Sequence, residues 1–174
     1  PLAIDHFGPV TVNDAIRLGR ALEPFGLAWM EDLMPWQDVE ANRLVTRAIN
    51  VPTLNGEDIY LLDGWREMID RRAIDIIQPD LLTAGGMLET KKIADYAERY
   101  GLPTVLHFAG SPIAFMANVH CAAALSTTII READLSSSGW LAIRFSGSSK
   151  SKSKIEYIMK MLNGGYKSNI IALN

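Results

Sequence analysis

Six short apolar runs recur along the chain, and most are followed by a polar residue, a loop and an amphipathic segment. The runs are LAID, LAWME, VPTLNGED, AIDIIQPD, LPTVLH and TTIIRE. Short apolar runs bounded by turn residues are typical of buried strands, and the amphipathic segments have helical spacing. Repeated units of this kind require parallel strands, because each covering helix returns the chain to the same edge of the sheet. The sequence therefore predicts an α/β fold.

The amphipathic segments predict five helices after these strands. Their predicted bounds are Asn13–Pro24, Val39–Ile49, a helix beginning near Asp63, Met87–Tyr100 and Ile113–Leu125. Thr11 or Asn13 is the predicted N-cap of the first helix, because either side chain can accept a hydrogen bond from a free backbone N–H. The segment LLTAGG, after the fourth run, is predicted to be a loop.

Alternating strands and helices fit either a doubly wound sheet or an eight-stranded barrel. The polar residues at the strand ends favour the barrel. They are Asp5, Glu31, Glu57, Asp80, His107 and Glu132. In a barrel the carboxyl ends of the strands surround one pocket, whereas an open sheet would spread the same residues along an edge. We therefore expect a partial TIM (β/α) barrel.

Composition limits the class of protein. The 174 residues are 48% hydrophobic and 21% charged, which is typical of one globular domain. The net charge of −3 argues against a nucleic-acid surface and favours small anions or neutral metabolites as partners. We expect no membrane segment, because no apolar stretch approaches roughly 18 residues. A single cysteine, Cys121, suits a cytoplasmic protein. The first residue is not Met, so we expect the chain to begin within a longer protein.

Three acidic residues at successive strand ends predict a metal site. Asp5, Glu31 and Glu57 are separated by 26 residues each time. Converging carboxylates repel one another and raise one another's pKa values, and a bound divalent cation removes that penalty. Mg²⁺ prefers oxygen ligands and keeps positions for water or substrate. The alternative is that each acid caps a helix or is solvated in its loop.

Asp80 and His107 end the next two predicted strands. Adjacent parallel strands bring such ends close enough for a carboxylate to fix one tautomer of an imidazole and raise its basicity. The pair is therefore a candidate general base. The alternative is that Asp80 caps the LLTAGG segment and that His107 is a core histidine with satisfied hydrogen bonds.

The pattern of strands and helices stops after Ala133. The following SSSGWLAIRFSGSSKSKSK is rich in Ser and Lys, which is typical of a linker or a poorly ordered tail. We therefore predict a partial barrel domain at residues 1–135 and a divergent tail at residues 136–174.

Four stretches carry a resemblance to a known family. They are LAWMEDLMPWQD, VPTLNGEDIY, DIIQPDLLTAGGMLETKKIADYAERYGL and LHFAGSPIAFMANVHCAAA. Together they resemble the barrel domain of the mandelate racemase and muconate lactonizing branch of the enolase superfamily, and its sugar-acid dehydratase-like members in particular. The resemblance covers about residues 1 to 132 and implies that the chain holds strands three to eight of the barrel.

The resemblance also implies roles for the residues at the strand ends. Asp5, Glu31 and Glu57 match the three Mg²⁺ ligands of the family. Asp80 and His107 match its Asp–His dyad, and Glu132 falls where the family has a Glu that contacts the substrate carboxylate. A small acid sugar is the implied substrate, and a homo-oligomer is expected for the full-length protein.

A Mg²⁺-dependent lyase is the function that the resemblance implies. Abstraction of the proton next to a carboxylate gives an enediolate, and loss of water from an acid sugar then gives a 2-keto-3-deoxy acid. One alternative is a racemase or epimerase with the same metal site. Another is a catalytically incomplete fragment, because the capping domain and two earlier barrel strands of the family have no counterpart in these 174 residues.

Overall fold

The computed structural model describes residues 2–6 and 10–126 with their side chains, and residues 128–131 and 143–144 as strand backbone. The strands of these segments, β1 to β7, are Ile4–Asp5, Met30–Glu31, Thr53–Asn55, Ile76–Ile77, Thr104–Leu106, Thr128–Arg131 and Ile143–Arg144. The α-helices, α1 to α6, are Val12–Leu22, Val39–Ala48, Leu61–Asp70, Leu81–Ala84, Met87–Glu98 and Pro112–Ala123.

The strands form one sheet whose order follows the chain, from β1 to β7. Neighbours from β1 to β6 pair in parallel, so the six predicted strands and the α/β fold class are confirmed. The last strand, β7, pairs with β6 in the antiparallel direction. It lies within the segment predicted to be a tail at residues 136–174, and the rest of that segment lies outside the described residues.

The predicted helices are present, with small differences at their ends. Thr11 rather than Asn13 caps α1, since its side chain accepts a hydrogen bond from the backbone N–H of Asp14. The third helix, α3, begins at Leu61, two residues earlier than predicted. The reason is a distant partner: the Glu89 carboxylate accepts a hydrogen bond from the Leu62 N–H at 3.1 Å, which satisfies a free donor of the first turn.

The LLTAGG segment differs from the prediction, because it contains the four-residue helix α4 rather than a loop alone. Asp80 caps this helix by accepting a hydrogen bond from the Leu82 N–H. Gly85 ends it in the left-handed region at φ 105°, where a residue with a Cβ is strained.

Both faces of the sheet are covered by apolar side chains, as a closed barrel wall requires. Met30 and Ile77 belong to clusters between the sheet and the helices. Their chain neighbours Trp29 and Ile76 point to the other face, since side chains alternate along a strand. There they form an inner cluster with Leu54 and Val105. No helix in the described part of the chain is long and apolar enough to cross a membrane.

Candidate functional site

The inner face of the sheet changes from apolar to polar toward the carboxyl ends of the strands. On four of the strands a residue that forms or packs against the inner apolar cluster is followed two positions later by a polar residue, and such residues share one face of a strand. The pairs are Ala3 and Asp5, Trp29 and Glu31, Ile76 and Gln78, and Val105 and His107. The polar side chains therefore form a layer immediately beyond the apolar one.

Glu31 is the buried carboxylate of this layer, with 4% of its surface exposed. Its Oε2 accepts a hydrogen bond from the indole Nε1 of Trp29 at 3.1 Å, and its Oε1 accepts one from the amide Nε2 of Gln78 at 2.6 Å. Burial raises the pKa of Glu31, and the charges of Asp5 and Glu57 raise it further, whereas the two hydrogen bonds oppose the rise.

Asp5 lies beside Glu31 in the sheet, because the two residues are partners in the parallel register of β1 and β2. Although the Asp5 side chain is exposed, incomplete hydration raises its pKa, and the charge of Glu57 adds to the rise. His107 and His6 act in the opposite direction. Asp5 and Glu31 therefore both lie close enough to Glu57 for its negative charge to raise their pKa values.

The structure brings Asp80 and His107 into direct contact. They face each other as a parallel bridge that extends the pairing of β4 and β5. The Asp80 Oδ2 lies 2.7 Å from the His107 Nδ1, while its Oδ1 accepts the hydrogen bond that caps α4. One carboxylate thus performs both of the functions that the sequence left as alternatives.

The other ring nitrogen of His107 faces a predicted metal ligand. Its Nε2 lies 2.9 Å from the Glu57 Oε2, and both side chains are about 15% exposed. Burial by itself lowers the pKa of His107, but the hydrogen bonds and charges of Asp80 and Glu57 outweigh burial and raise it to about 10. At neutral pH the imidazole in this arrangement is protonated.

Asp32 adds a further carboxylate at this edge. It adopts a left-handed backbone conformation, with φ 49°, immediately after Glu31. Burial raises its pKa to about 7, and the charge of Glu57 is the next cause, followed by that of Glu31. Asp32 therefore ionises less readily than an ordinary aspartate, because it is buried beside other carboxylates.

The predicted site residues differ in how the structure places them. Asp5, Glu31, Glu57, Asp80 and His107 meet at one edge of the sheet. Among residues 2–6 and 10–126, however, no three His, Cys, Asp or Glu side chains form a group arranged to hold a metal ion, and the Glu57 carboxylate contacts His107. The donor set still has the oxygen chemistry that suits Mg²⁺, so the metal site stays a prediction. Glu132 lies outside the described residues.

Sequence reasoning missed three residues that contact the site. Trp29 and Gln78 hold Glu31, and the Asn118 amide of α6 donates to the His107 carbonyl oxygen at 2.8 Å. Alternation along the strands could have indicated the first two, because each stands two positions before a site residue, Glu31 or Asp80. Nothing in the local sequence indicates Asn118, since its partner comes from the preceding strand end.

Comparison with known proteins identifies the family. The family described as enolase C-terminal domain-like matches residues 1–152. The chain belongs to this family. The resemblance to the mandelate racemase and muconate lactonizing branch is therefore confirmed, as is the partial (β/α) barrel.

Individual relatives agree with this assignment. The D-xylonate dehydratase of Haloferax volcanii is 37% identical over 139 residues, which cover 80% of this chain and 34% of the relative. A mandelate racemase/muconate lactonizing enzyme-like protein from Rubrobacter xylanophilus has a TM-score of 0.72 at 36% identity, over 74% of this chain and 33% of that one. The 3,6-anhydro-D-galactonate cycloisomerase from Zobellia galactanivorans has a TM-score of 0.73 at 34% identity, over 78% and 38% respectively. This chain thus spans about a third of the length of the curated relative.

Proposed function

We propose that the chain carries the catalytic strand ends of a Mg²⁺-dependent acid-sugar dehydratase, a lyase that removes water from a sugar acid. The observation that carries the proposal is the 2.7 Å contact between Asp80 and His107, made beside three carboxylates at one edge of a parallel sheet. Membership of the enolase C-terminal domain-like family and the likeness to a protein named D-xylonate dehydratase support it.

Asp5, Glu31 and Glu57 would hold the Mg²⁺ ion. Their oxygen donors suit a hard divalent cation, and the raised pKa values of Asp5 and Glu31 arise partly from like charge that a cation would neutralise. When bound, Mg²⁺ would supply Lewis-acid stabilisation of the negative charge that develops on a substrate carboxylate.

His107 would carry the proton transfers. Asp80 binds its Nδ1 and so directs the Nε2 toward the carboxylate layer. The neutral Nε2 would accept the α-proton of the substrate, which leaves an enediolate. The protonated Nε2 would donate to the β-hydroxyl, which departs as water while the Cα–Cβ double bond forms. The resulting enol becomes the 2-keto-3-deoxy acid when Cβ takes up a proton.

The charge state of His107 favours the acid role. Its pKa of about 10 keeps the ring protonated at neutral pH as long as Glu57 and Asp80 both contact it. When Glu57 holds the cation instead, one of these contacts would be lost, which would lower the pKa and leave the Nε2 free to accept the α-proton. A group that is protonated at the working pH can protonate a leaving hydroxyl, which is the step that separates dehydration from simple proton exchange at the α-carbon.

Racemisation or epimerisation of a carboxylate is the alternative function. The structural likeness to a mandelate racemase/muconate lactonizing enzyme-like protein supports it, and the same carboxylates and histidine would serve α-proton removal. Product analysis separates the two reactions. A 2-keto-3-deoxy acid indicates dehydration, whereas an epimer of the same mass as the substrate indicates epimerisation.

Mg²⁺ calorimetry on the 174-residue chain tests the metal site. We expect Glu57→Gln to weaken Mg²⁺ binding at least as much as the 10–100-fold typical of losing an outer-shell partner. Asp58→Asn is the matched control, because the adjacent Asp58 is exposed and should affect binding little. Equal Mg²⁺ affinity of the Glu57→Gln variant and the unchanged chain would contradict the proposed metal site.

A screen of acid sugars for 2-keto-3-deoxy products then tests the reaction.

A further inference from the structure

We propose that Trp29 and Gln78 are positioning residues that fix the Glu31 carboxylate in the orientation of a metal ligand. This inference rests on the proposed function, because Glu31 is one of its three predicted ligands. Trp29 and Gln78 would not touch the ion or the substrate. They would act through Glu31, by restricting the rotation of its side chain before a cation arrives.

Trp29 is held rigidly enough for this role. Its side chain is 9% exposed and packs in the inner cluster with Leu54, Ile76 and Val105. Contact with this cluster restricts rotation of the ring on one side, while the other side borders a cavity of about 340 Å³, so the hydrogen bond to Glu31 contributes to fixing the indole. The indole N–H is a donor only, and it points at the Glu31 Oε2 from two positions earlier on the same strand face.

Gln78 approaches the other oxygen of Glu31 from a different strand. It follows β4, while Glu31 ends β2, and β3 lies between them in the sheet. The hydrogen bond from Nε2 to the Glu31 Oε1 therefore spans the inner face above β3. The Gln78 side chain is completely buried, and its backbone N–H donates to the Asn55 carbonyl oxygen at 3.1 Å. Both the backbone and the amide of Gln78 are thus fixed.

The hydrogen-bond donors of Trp29 and Gln78 are both neutral, which suits a carboxylate that is proposed to bind a metal ion. A Lys or Arg partner would hold the carboxylate but would also neutralise its charge and compete with a cation. An indole and an amide leave the full negative charge, and each carboxylate oxygen retains lone-pair capacity after accepting one hydrogen bond. Glu57 is different, because its partner His107 carries a positive charge in this arrangement.

Two substitutions that remove the hydrogen-bond donors test the inference by Mg²⁺ calorimetry on the 174-residue chain. Gln78→Met keeps a straight side chain of similar length without the donor, and Trp29→Phe keeps an aromatic ring without the N–H. We expect each substitution to weaken Mg²⁺ binding about 10- to 100-fold, as is typical when an outer-shell partner is lost. Either variant alone decides the question if the other does not fold.

Thr46→Val is the matched structural control. Thr46 donates to the Ala73 carbonyl oxygen at 2.7 Å and contacts the Thr53 hydroxyl at the start of β3, away from Glu31. The control removes a partly buried hydrogen bond, so we expect a loss of thermal stability with an unchanged Mg²⁺ affinity. A merely structural role for Trp29 and Gln78 predicts this same result for their variants, and that result would overturn the positioning role.

The outcomes separate the inference from the proposed function. If Glu57→Gln weakens Mg²⁺ binding while Gln78→Met and Trp29→Phe bind Mg²⁺ normally, only the inference fails. If the unchanged chain does not bind Mg²⁺, the proposed metal site fails. A double-mutant cycle of Gln78→Met with Glu31→Met, measured by unfolding without metal, then tests the contact itself, because Glu31→Met removes both acceptor oxygens. We expect Gln78→Met to lower the free energy of unfolding less in the Glu31→Met background than in the unchanged chain, and equal effects in both backgrounds would contradict the contact.

Discussion

The two sides of the carboxylate layer hold a glutamate in different ways. On the β2 side, Glu31 is 4% exposed and accepts hydrogen bonds from an indole and an amide, neither of which titrates in the physiological range. On the β3 side, Glu57 is partly exposed and pairs with His107, whose charge depends on pH. Identical side chains thus have neutral hydrogen-bond donors in one place and a titratable partner in the other.

This difference indicates how one site can combine rigidity with proton transfer. A carboxylate held by two neutral donors keeps the same hydrogen-bond partners across a wide pH range, because the donors do not change charge. A carboxylate paired with an imidazole changes the imidazole's proton affinity and is itself released when the imidazole loses its proton. We interpret the β2 side as the fixed part of the site and the β3 side as the part that responds to protons and ligands.

The largest expected effect comes from Gly56→Ala, which alters the backbone that carries Glu57. Gly56 has φ 131°, and a Cβ added there would lie 1.9 Å from the Trp65 ring, which is completely buried. Strain at this φ and overpacking act together, so we expect a loss of about 4 kcal/mol in the free energy of unfolding, measured by urea denaturation.

Gly26→Ala is the control for that substitution. Gly26 is also left-handed, at φ 61°, but a Cβ there would meet nothing within 4 Å. We therefore expect Gly26→Ala to lower the free energy of unfolding by about 1 kcal/mol, because only the left-handed backbone conformation disfavours a residue with a Cβ there. Similar losses in the free energy of unfolding for the two variants would show that the close packing of Gly56 against Trp65 does not hold the backbone that carries Glu57 in place.

The next largest effect concerns the pKa of His107, measured by NMR titration of the imidazole. Removing the Glu57 charge with Glu57→Gln should lower this pKa from about 10 by at least about 1 unit, because the neighbouring negative charge favours the protonated ring. Glu31→Gln should change it less, since Glu31 is not among the groups that raise the pKa. Equal shifts of the His107 pKa in the two variants would show that Glu57 and Glu31 do not differ in their effect on this histidine.

The same pKa shift has a consequence for stability. The folded pKa of His107 lies above its ordinary value of 6.5. Its contribution to stability is therefore fully present below pH 6.5 and is lost as the pH rises toward 10. Glu57→Gln should reduce this loss between pH 6.5 and 10, as measured by urea unfolding at a series of pH values.

An effect of similar size is expected at Asp32, which follows Glu31 and is also affected by the charge of Glu57. Burial raises its pKa to about 7, above its ordinary value of 3.8, so stability falls as the pH rises from about 4 to 7 and the group ionises. Asp32→Asn removes the charge, and Asn tolerates the left-handed φ of 49°. We expect a gain of about 2 kcal/mol at pH 8 in metal-free buffer.

Asp58→Asn provides the comparison for Asp32→Asn, because Asp58 is exposed and close in the fold. Its effect on the free energy of unfolding should stay within about 0.5 kcal/mol, as is usual for surface substitutions. An Asp32→Asn variant that is no more stable than Asp58→Asn at pH 8 would show that Asp32 carries no unfavourable charge.

The order of the strands and the position of the strand-end residues could be predicted because both depend on local patterns. Apolar runs and helical spacing are read within a few residues, and parallel topology then brings the strand ends to one edge. Asp80 illustrates the limit of this reasoning. The sequence offered helix capping and histidine binding as alternatives, whereas the two oxygens of one carboxylate do both.

By itself, the sequence determined the alternation of strands and helices, the family, and the set of acids and the histidine at the strand ends. Only the tertiary structure decided their partners. Gln78 reaches Glu31 across 47 positions of the chain, and Glu57 meets His107 from another strand. Such contacts depend on sheet register and on the burial of each side chain. Burial and charge act through space, so they select partners that spacing along the chain does not specify.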